Sequence, residues 1–381
     1  MKIGLLGYGT VGSGVYELCS EEGQFEVSTI VRRDWKNVPE GKGAADPNAI
    51  LTDPTVEAVV EVMGGLHPAY EWVCAAMRAG KHVVTANKQL VCRYYRELIA
   101  LAAACGVAFR CTAAVGGGIP WLVNLERASR CDRIQRIGGI LNGTTNYILD
   151  AMQREPIAFA QALASAQRLG YAEADPGDDI DGLDIRRKLA ISANIAFDCA
   201  IAEEEILAGG IRRVGETDMA AFAAHGLTCK LLADAALQPD GSLYAVVEPC
   251  LLGPDWAEAS VPANYNLISF WGQAVGKESF FGPGAGRLPT AYTAVQDLED
   301  IQAGVRRFYT DICTPRRVDN TRLRRRYYVR AERPGKAAAD WLTAHTESRW
   351  PQGGVITSPL PPEQLHRAAA AMPELFFAAL L

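Results

Sequence analysis

No apolar run in the sequence approaches the roughly 18 residues that a membrane-spanning helix needs, so no span is expected. There is no C-x-x-C pair. The ten cysteines are scattered from Cys19 to Cys313, with no histidine beside them at zinc-ligand spacing. That excludes a zinc finger or ribbon and points to reduced, mostly buried thiols. An excess of positive charge is also missing: 38 Lys and Arg face 44 Asp and Glu, a formal net charge of -6. Basic clusters such as Arg322 to Arg326 are local, so a nucleic-acid partner is not expected. The chain enters a strand pattern with no charged segment, long apolar stretch or cleavage site ahead of it. No export signal is therefore expected, and a reducing cytoplasm is the expected location.

What is present is an ordinary globular composition over 381 residues, 49% hydrophobic and 22% charged, enough for two or three packed domains. Residues 2–6 are a short apolar run. Gly7-Tyr8-Gly9-Thr10-Val11-Gly12 follows and leads into a helix-like stretch over 15–19. Residues 25–31 read as a second strand, 56–62 as a buried strand ending at Met63-Gly64-Gly65, 69–79 as a helix, and 82–85 and 107–111 as further strands. Strands alternating with helices predict an α/β fold, a doubly wound parallel sheet of Rossmann type over residues 1–130.

After Gly116-Gly117-Gly118-Ile119-Pro120 the pattern changes to longer helical segments. Residues 134–141 read as a strand, 159–169 as an amphipathic helix closed by Gly170, and 183–197 as a long helix. These predict an α+β domain for catalysis and dimerisation over 131–284, a mixed sheet with helices on one face. A loop and helix over 280–300 is expected to complete the first domain, through about 285–315. A strand-like Tyr327-Tyr328-Val329-Arg330 and a helical 337–344 suggest a short third unit over 320–381.

In Gly7-x-Gly9-x-x-Gly12 the first glycine permits a tight turn, the second lets a pyrophosphate approach the backbone, and the third lets the helix lie close to the strand. The helix N-terminus then offers amide donors and partial positive charge. The alternative is a plain tight turn. At the end of the second strand, where an acidic residue would select NAD, stand Arg32 and Arg33. Two guanidinium groups suit a ribose 2'-phosphate and favour NADP over NAD. Asp34 follows at once, and both arginines could simply be solvated.

The densest chemistry lies in residues 170–188, where Glu173, Asp175, Asp178, Asp179, Asp181 and Asp184 precede Arg186, Arg187 and Lys188. A calcium loop fails at both ends of its register, since Gly177 would be its first ligand and Lys188 its twelfth. In a helix over 183–197, Asp184 and Lys188 stand at i and i+4 and share a face. Such a pair can hold an ammonium charged and oriented for proton transfer. On spacing alone the favoured reading is an ordinary surface ion pair, with the Asp-rich loop as a solvated turn.

Glu173-Ala174-Asp175-Pro176 with Asp184 and Lys188 resembles the signature region of homoserine dehydrogenases. Three further segments agree in order: Thr85-Ala86-Asn87-Lys88, residues 139–148 with Asn142-Gly143-Thr144-Thr145-Asn146 at their centre, and Phe281-Gly282-Pro283-Gly284-Ala285-Gly286-Arg287-Leu288-Pro289-Thr290. The resemblance runs from the N-terminus to about residue 310. It implies NAD(P)-dependent interconversion of L-homoserine and L-aspartate 4-semialdehyde. It makes Lys188 the proton donor and acceptor, Asp184 its orienting partner, and Glu173 the ligand of the substrate amino group. Lys88 would stand at the junction of cofactor and substrate. Asn142, Gly143, Thr144 and Asp179 would line the substrate pocket. Gly7, Gly9, Thr10, Val11, Gly12, Met63 and Gly286 would contact the cofactor. A monovalent cation, sodium, would be held by backbone carbonyls of Thr112, Val115, Gly117 and Ile119; Thr112 stands where the family has glutamate. A homodimer is implied as well.

Many relatives end in an ACT-type domain, and the C-terminal segment reads as a reduced ACT-like unit, the stretch between its fragments being too short for a complete set of strands. Such a unit can pack or dimerise without binding an effector. The competing readings are a diaminopimelate or aspartate dehydrogenase on the same scaffold, and a non-catalytic amino-acid or nucleotide sensor. The 142–148 motif and Lys188 argue against the first. Lys88, Glu173, Asp184 and Lys188 argue against the second.

Overall fold

Runs in which nearly every residue is apolar and buried, without alternation, are the pattern of a parallel sheet covered on both faces, and three such runs form the centre of the first sheet. In the computed structural model, which describes residues 1–32, 37–305 and 315–381, the strands are β1 (Lys2–Leu6), β2 (Glu26–Val31), β3 (Gly43–Ala44), β4 (Ala58–Glu61), β5 (His82–Thr85) and β6 (Phe109–Arg110). Their order is β3-β2-β1-β4-β5-β6, with every pairing parallel. Between them run α1 (Thr10–Glu22), α2 (Asn48–Leu51), α3 (Ala69–Arg78) and α4 (Lys88–Cys105), and α5 (Trp121–Ser129) follows β6. The order reverses between β1 and β4, and a crevice at such a switch point, outside the carboxyl ends of the strands, is where doubly wound sheets bind ligands. Ile3, Leu5, Val15, Ile30, Val60 and Leu298 belong to the core of this unit, which comprises residues 1–134, 190–202 and 282–315. The expected Rossmann-type sheet is present.

The second unit comprises residues 135–189, 203–281 and 316–381. Among the described residues its sheet has ten strands: β7 (Ile134–Ile140), β8 (Leu207–Ala208), β9 (Thr228–Leu237), β10 (Leu243–Leu252), β11 (Tyr265–Gly272), β12 (Gly276–Pro283), β13 (Arg326–Ala331), β14 (Thr346–Arg349), β15 (Val355–Thr357) and β16 (Leu375–Leu380). The path is β12-β11-β7-β9-β10-β16-β13-β15-β14, with β8 paired to β10. Its backbone is the antiparallel β9–β10 pair, in register from Thr228 opposite Leu252 to Leu237 opposite Leu243. Its helices are α6 (Gly143–Arg154), α7 (Phe159–Arg168), α8 (Gly177–Ile180), the first half of α9 (Leu183–Ala196) and α10 (Glu216–Ala224); α9 from residue 190 and α11 (Arg287–Gln302) belong to the first unit. No helix among the described residues is long and apolar enough to cross a membrane.

The C-terminal segment departs from one expectation. With α12 (Lys336–His345) and α13 (Pro362–Ala371), its elements run β13-α12-β14-β15-α13-β16, and the strands lie in the order β16-β13-β15-β14 with antiparallel neighbours. This is a complete βαββαβ set. The segment has room for all four strands because β14 and β15 are only four and three residues long. Its edge is joined to the larger sheet, Cys250 and Leu251 of β10 pairing in parallel with Ala379 and Leu380 of β16.

Beneath that junction lies a buried charge network. Arg325, 6% exposed, pairs with Asp234 of β9 and, at 2.5 Å, with Glu248 of β10. Arg136 of β7 reaches Asp234 at 2.7 Å, and His366 of α13 reaches Glu248 at 3.1 Å. Burial alone would push the Glu248 carboxyl up, but His366 and Arg325 together hold it below its ordinary value. Its contribution is therefore present at neutral pH and lost as pH falls through the carboxylate range. Removing one partner of such a network leaves a charge buried without compensation, at a cost of about 3–5 kcal/mol. Arg325→Met is accordingly expected to lower the urea midpoint followed by circular dichroism. A midpoint equal to that of the parent would show that the junction does not depend on these charges.

Candidate active site

In the first unit, the turn after β1 depends on glycine at two places. Gly7 has φ +106°, and a Cβ there would lie 2.9 Å from the Val62 carbonyl carbon. At Gly12 a Cβ would lie 2.4 Å from the Gly7 carbonyl oxygen, so α1 approaches the turn only because that position has no side chain. Space beside Gly9 is open, with nothing within 4 Å of a Cβ built there. Thr10 and Val11 begin α1. The adjoining cavity, about 400 Å³, is lined by Gly7, Gly9, Arg32, Met63, His67 and Trp72 among others, and no carboxylate side chain is among its walls in the described residues. Arg32 donates from Nη1 to the Tyr8 carbonyl at 2.5 Å. Arg33 and Asp34 lie outside the described residues. Gly286 is the N-terminal cap of α11, at φ +134°, with its carbonyl accepting from Thr290 N at 3.1 Å.

Lys88 is the first residue of α4, whose cap is Asn87: the side-chain oxygen accepts from Leu90 N at 3.1 Å. Glu61, fully buried at the end of β4, organises the surrounding turns. It accepts from Thr85 Oγ1 at 2.6 Å and Met63 N at 2.8 Å, while Asn87 Nδ2 reaches across to the Gly65 carbonyl at 2.6 Å. Burial raises the Glu61 carboxyl, and these donors offset only part of the shift. Residues 112–119 form a buried turn: the Gly117 carbonyl accepts from Thr293 Oγ1 at 2.6 Å, that of Ile119 from Trp121 N at 2.7 Å, and that of Thr112 from Val115 N at 3.3 Å. Thr112 donates from Oγ1 to Asp297 at 2.7 Å, and Arg110 Nε donates to the same carboxylate at 2.9 Å. Burial, the larger effect, keeps the Asp297 carboxyl above its ordinary value although Arg110 draws it down.

The second unit holds a tighter constellation. Lys188 and Asp184 are an i, i+4 pair on α9 with Nζ to Oδ2 at 2.8 Å, and their side chains are only 9% and 4% exposed. Lys188 also donates to the Leu141 carbonyl at 2.8 Å. Asn142 caps α6, accepting from Thr145 N at 2.9 Å, and its Nδ2 donates to Asp179 at 2.7 Å and to Asp184 at 2.9 Å. Burial raises the Asp179 carboxyl, and the Asp184 charge adds to that; Asn142, Lys188 and Thr144 pull the other way. Thr144 Oγ1 donates to the Tyr171 carbonyl at 2.5 Å, and Gly143 lies so close to Asn264 that a Cβ would be 2.4 Å from its carbonyl oxygen.

Thus Lys188, Asp184, Asn142 and Asp179 are brought together, with Gly143 and Thr144 on the adjoining turn. Glu173 is exposed in the loop before α8, its backbone carbonyl accepting from Gln167 Nε2 at 3.1 Å. Lys88, the glycine turn and the 112–119 segment belong to the first unit. Sequence reasoning missed Glu61, Thr85 and Asn87 as a network. A polar residue closing the apolar run of residues 58–61 was the available signal. Among the described residues no group of three or more His, Cys, Asp or Glu side chains is arranged to hold a metal ion.

The family model described as homoserine dehydrogenase, NAD binding domain, matches residues 7–111, and that described as homoserine dehydrogenase matches residues 120–298. The chain is 42% identical over 316 residues to a homoserine dehydrogenase from a Synechocystis strain, covering 79% of this chain and 73% of the relative. To that of Bacillus subtilis it is 38% identical over 321 residues, covering 80% and 74%. A crystal structure of a homoserine dehydrogenase from Thiobacillus denitrificans is similar with a TM-score of 0.88 at 31% identity, covering 100% of this chain and 98% of that one. Because a methyl group at position 12 would collide with the turn, Gly12→Ala is expected to weaken nicotinamide cofactor binding at least about tenfold. Fluorescence titration measures this; unchanged affinity would show that the turn relaxes freely.

Proposed function

The chain belongs to the homoserine dehydrogenase family, and we propose on that premise that it interconverts L-homoserine and L-aspartate 4-semialdehyde, a step of amino-acid biosynthesis. The observation that carries the reading is the buried Lys188–Asp184 pair braced by Asn142. The nicotinamide cofactor, when bound, supplies or accepts the hydride. What remains for the protein is the proton. In the reducing direction the Lys188 ammonium gives a proton to the oxygen of the aldehyde as charge develops there, and in the oxidising direction the Lys188 amine takes it from the alcohol. Asp184 and the Leu141 carbonyl fix the position of Nζ. Asp179, Asn142, Gly143 and Thr144 line the pocket for a small polar amino acid, Glu173 binds its amino group, and Lys88 supports the junction with the cofactor.

Gly7, Gly9, Thr10, Val11, Gly12, Met63 and Gly286 hold the cofactor in this reading. NADP is preferred, because Arg32 lines the cavity and no carboxylate does so among the described residues. Carbonyls of Thr112, Val115, Gly117 and Ile119 hold a sodium ion; carbonyls that already accept one hydrogen bond keep a second lone pair, and a set without a carboxylate suits a weakly bound monovalent ion. The C-terminal βαββαβ segment is ACT-like. The protein works in the cytoplasm as a homodimer. Support for the dimer is the second sheet's terminal strand β12, where Phe281 is 56% exposed and stacks on the exposed Tyr265 at 5.1 Å.

Nicotinamide absorbance with L-homoserine and NADP or NAD, with and without sodium, tests the reading. Lys188→Ala is expected to lose roughly 10²–10⁴-fold in turnover while binding cofactor as the parent does. Parent protein that binds cofactor but turns over nothing in either direction would overturn the assignment. Arg32→Ala is expected to cut the NADP over NAD ratio of kcat/KM by about tenfold; an unchanged ratio would place discrimination elsewhere. Sedimentation velocity measures the dimer.

A further inference from the structure

Lys230, on β9, is a buried cation that the mechanism above does not use, with 1% of its surface exposed. Its Nζ donates to Asn146 Oδ1 at 2.8 Å and to the Val261 carbonyl at 2.7 Å. Asn146 in turn donates from Nδ2 to the carbonyls of Ala263 at 2.8 Å, Val261 at 3.2 Å and Tyr265 at 3.3 Å. No carboxylate among the described residues forms an ion pair with the ammonium. The titratable and charged groups that act on it are Asp150 and Arg154 of α6 and Cys229 on its own strand. Asp150 itself accepts from Ala263 N at 2.8 Å.

Asn146 stands one helical turn beyond Asn142 on α6. The two asparagines therefore fix the same turn from opposite ends: one reaches Asp179 and Asp184, and the other is held by Lys230 and the 261–265 loop. There is little slack between that loop and the helix, since Gly143 already lies against the Asn264 carbonyl. A slip of the turn by half an ångström or so would carry the 2.9 Å contact from Asn142 to Asp184 toward the limit of a useful hydrogen bond.

We propose that Lys230 is a positioning residue for the reaction, fixing the first turn of α6 where Asn142 can brace Asp184 and Asp179. This rests on the reading of Lys188 and Asp184 as the proton-transfer pair. Burial pushes the Lys230 ammonium down to about 8, with Asp150 drawing it back up. As pH rises through that value two charge-assisted hydrogen bonds become ordinary ones, and the hold on Asn146 weakens. The sign for stability is the reverse. The folded state releases this proton before the unfolded state does, so the contribution of Lys230 to stability rises between its folded and unfolded values. Activity would fall over a range in which this group does not destabilise the fold.

The experiment uses the full chain and two readouts, hydrogen–deuterium exchange of residues 142–150 and kcat/KM for homoserine, each from roughly pH 6.5 to 9.5. Lys230→Met is expected to speed exchange in the first turn of α6 and to lower kcat/KM about tenfold, with the inflection near pH 8 gone and cofactor affinity unchanged. Asp150→Asn keeps the shape and removes the charge, so the inflection is expected to move to lower pH by up to about one unit. Parent-like exchange and an unmoved inflection in Lys230→Met would overturn the proposal. If that variant does not fold, an unmoved inflection in Asp150→Asn overturns it instead. If the parent oxidises no homoserine while exchange of α6 still responds to both substitutions, the positioning role stands and the assigned reaction fails.

Discussion

The second unit is organised around the burial of one ammonium group. Lys188 is almost withdrawn from solvent, and a cation in that condition is tolerable only if it is paired and its donors are satisfied. Asp184 supplies the charge from one turn earlier on the same helix, and the Leu141 carbonyl supplies an acceptor from the end of β7. Asp184 then needs a donor, which is Asn142. Asn142 can provide one because its other amide atom is fixed as the cap of α6. Strand β7 and helices α6 and α9 are thereby tied to one point, and the polar groups proposed to meet substrate are those already required to make the burial possible.

The same logic shows which parts of the molecule were legible in sequence. The first sheet could be read because local signals sufficed: β5 falls on residues 82–85 as expected, and Gly7 and Gly12 occupy positions where geometry demands glycine. Asp184 and Lys188 could be paired from helical spacing alone. Their burial could not, because nothing in residues 183–197 says what covers them. That Asn142 bridges to Asp179 and Asp184 depends on a strand-end turn meeting a helix some forty residues later. Only the resemblance to a family pointed there.

What escaped the sequence reading was non-local. Strands β9 and β10 hold Lys230, Asp234 and Glu248 within otherwise buried apolar runs, and each charge is explained only by a partner from a distant segment: Asn146, Arg325 and His366 respectively. A charge inside a strand reads as an exposed face when partners are invisible. The C-terminal segment was underestimated for a different reason. Its two shortest strands are too brief to leave a period-two pattern, yet they are sufficient because β13 and β16 between them provide the long edge on which they and β10 assemble.

Two kinds of buried charge are thus present in the second unit, and they do different work. The Arg325 network balances cations against carboxylates, so its members are strongly held and its contribution is to the fold. Lys188 pairs with Asp184 and the Leu141 carbonyl, whereas Lys230 donates to an amide oxygen and a carbonyl and forms no ion pair among the described residues. Several opposite charges lock a group in its charged form, whereas burial without an ion pair draws the Lys230 ammonium down. That difference in compensation, rather than burial itself, separates Lys230 from the charges that bind the sheet together.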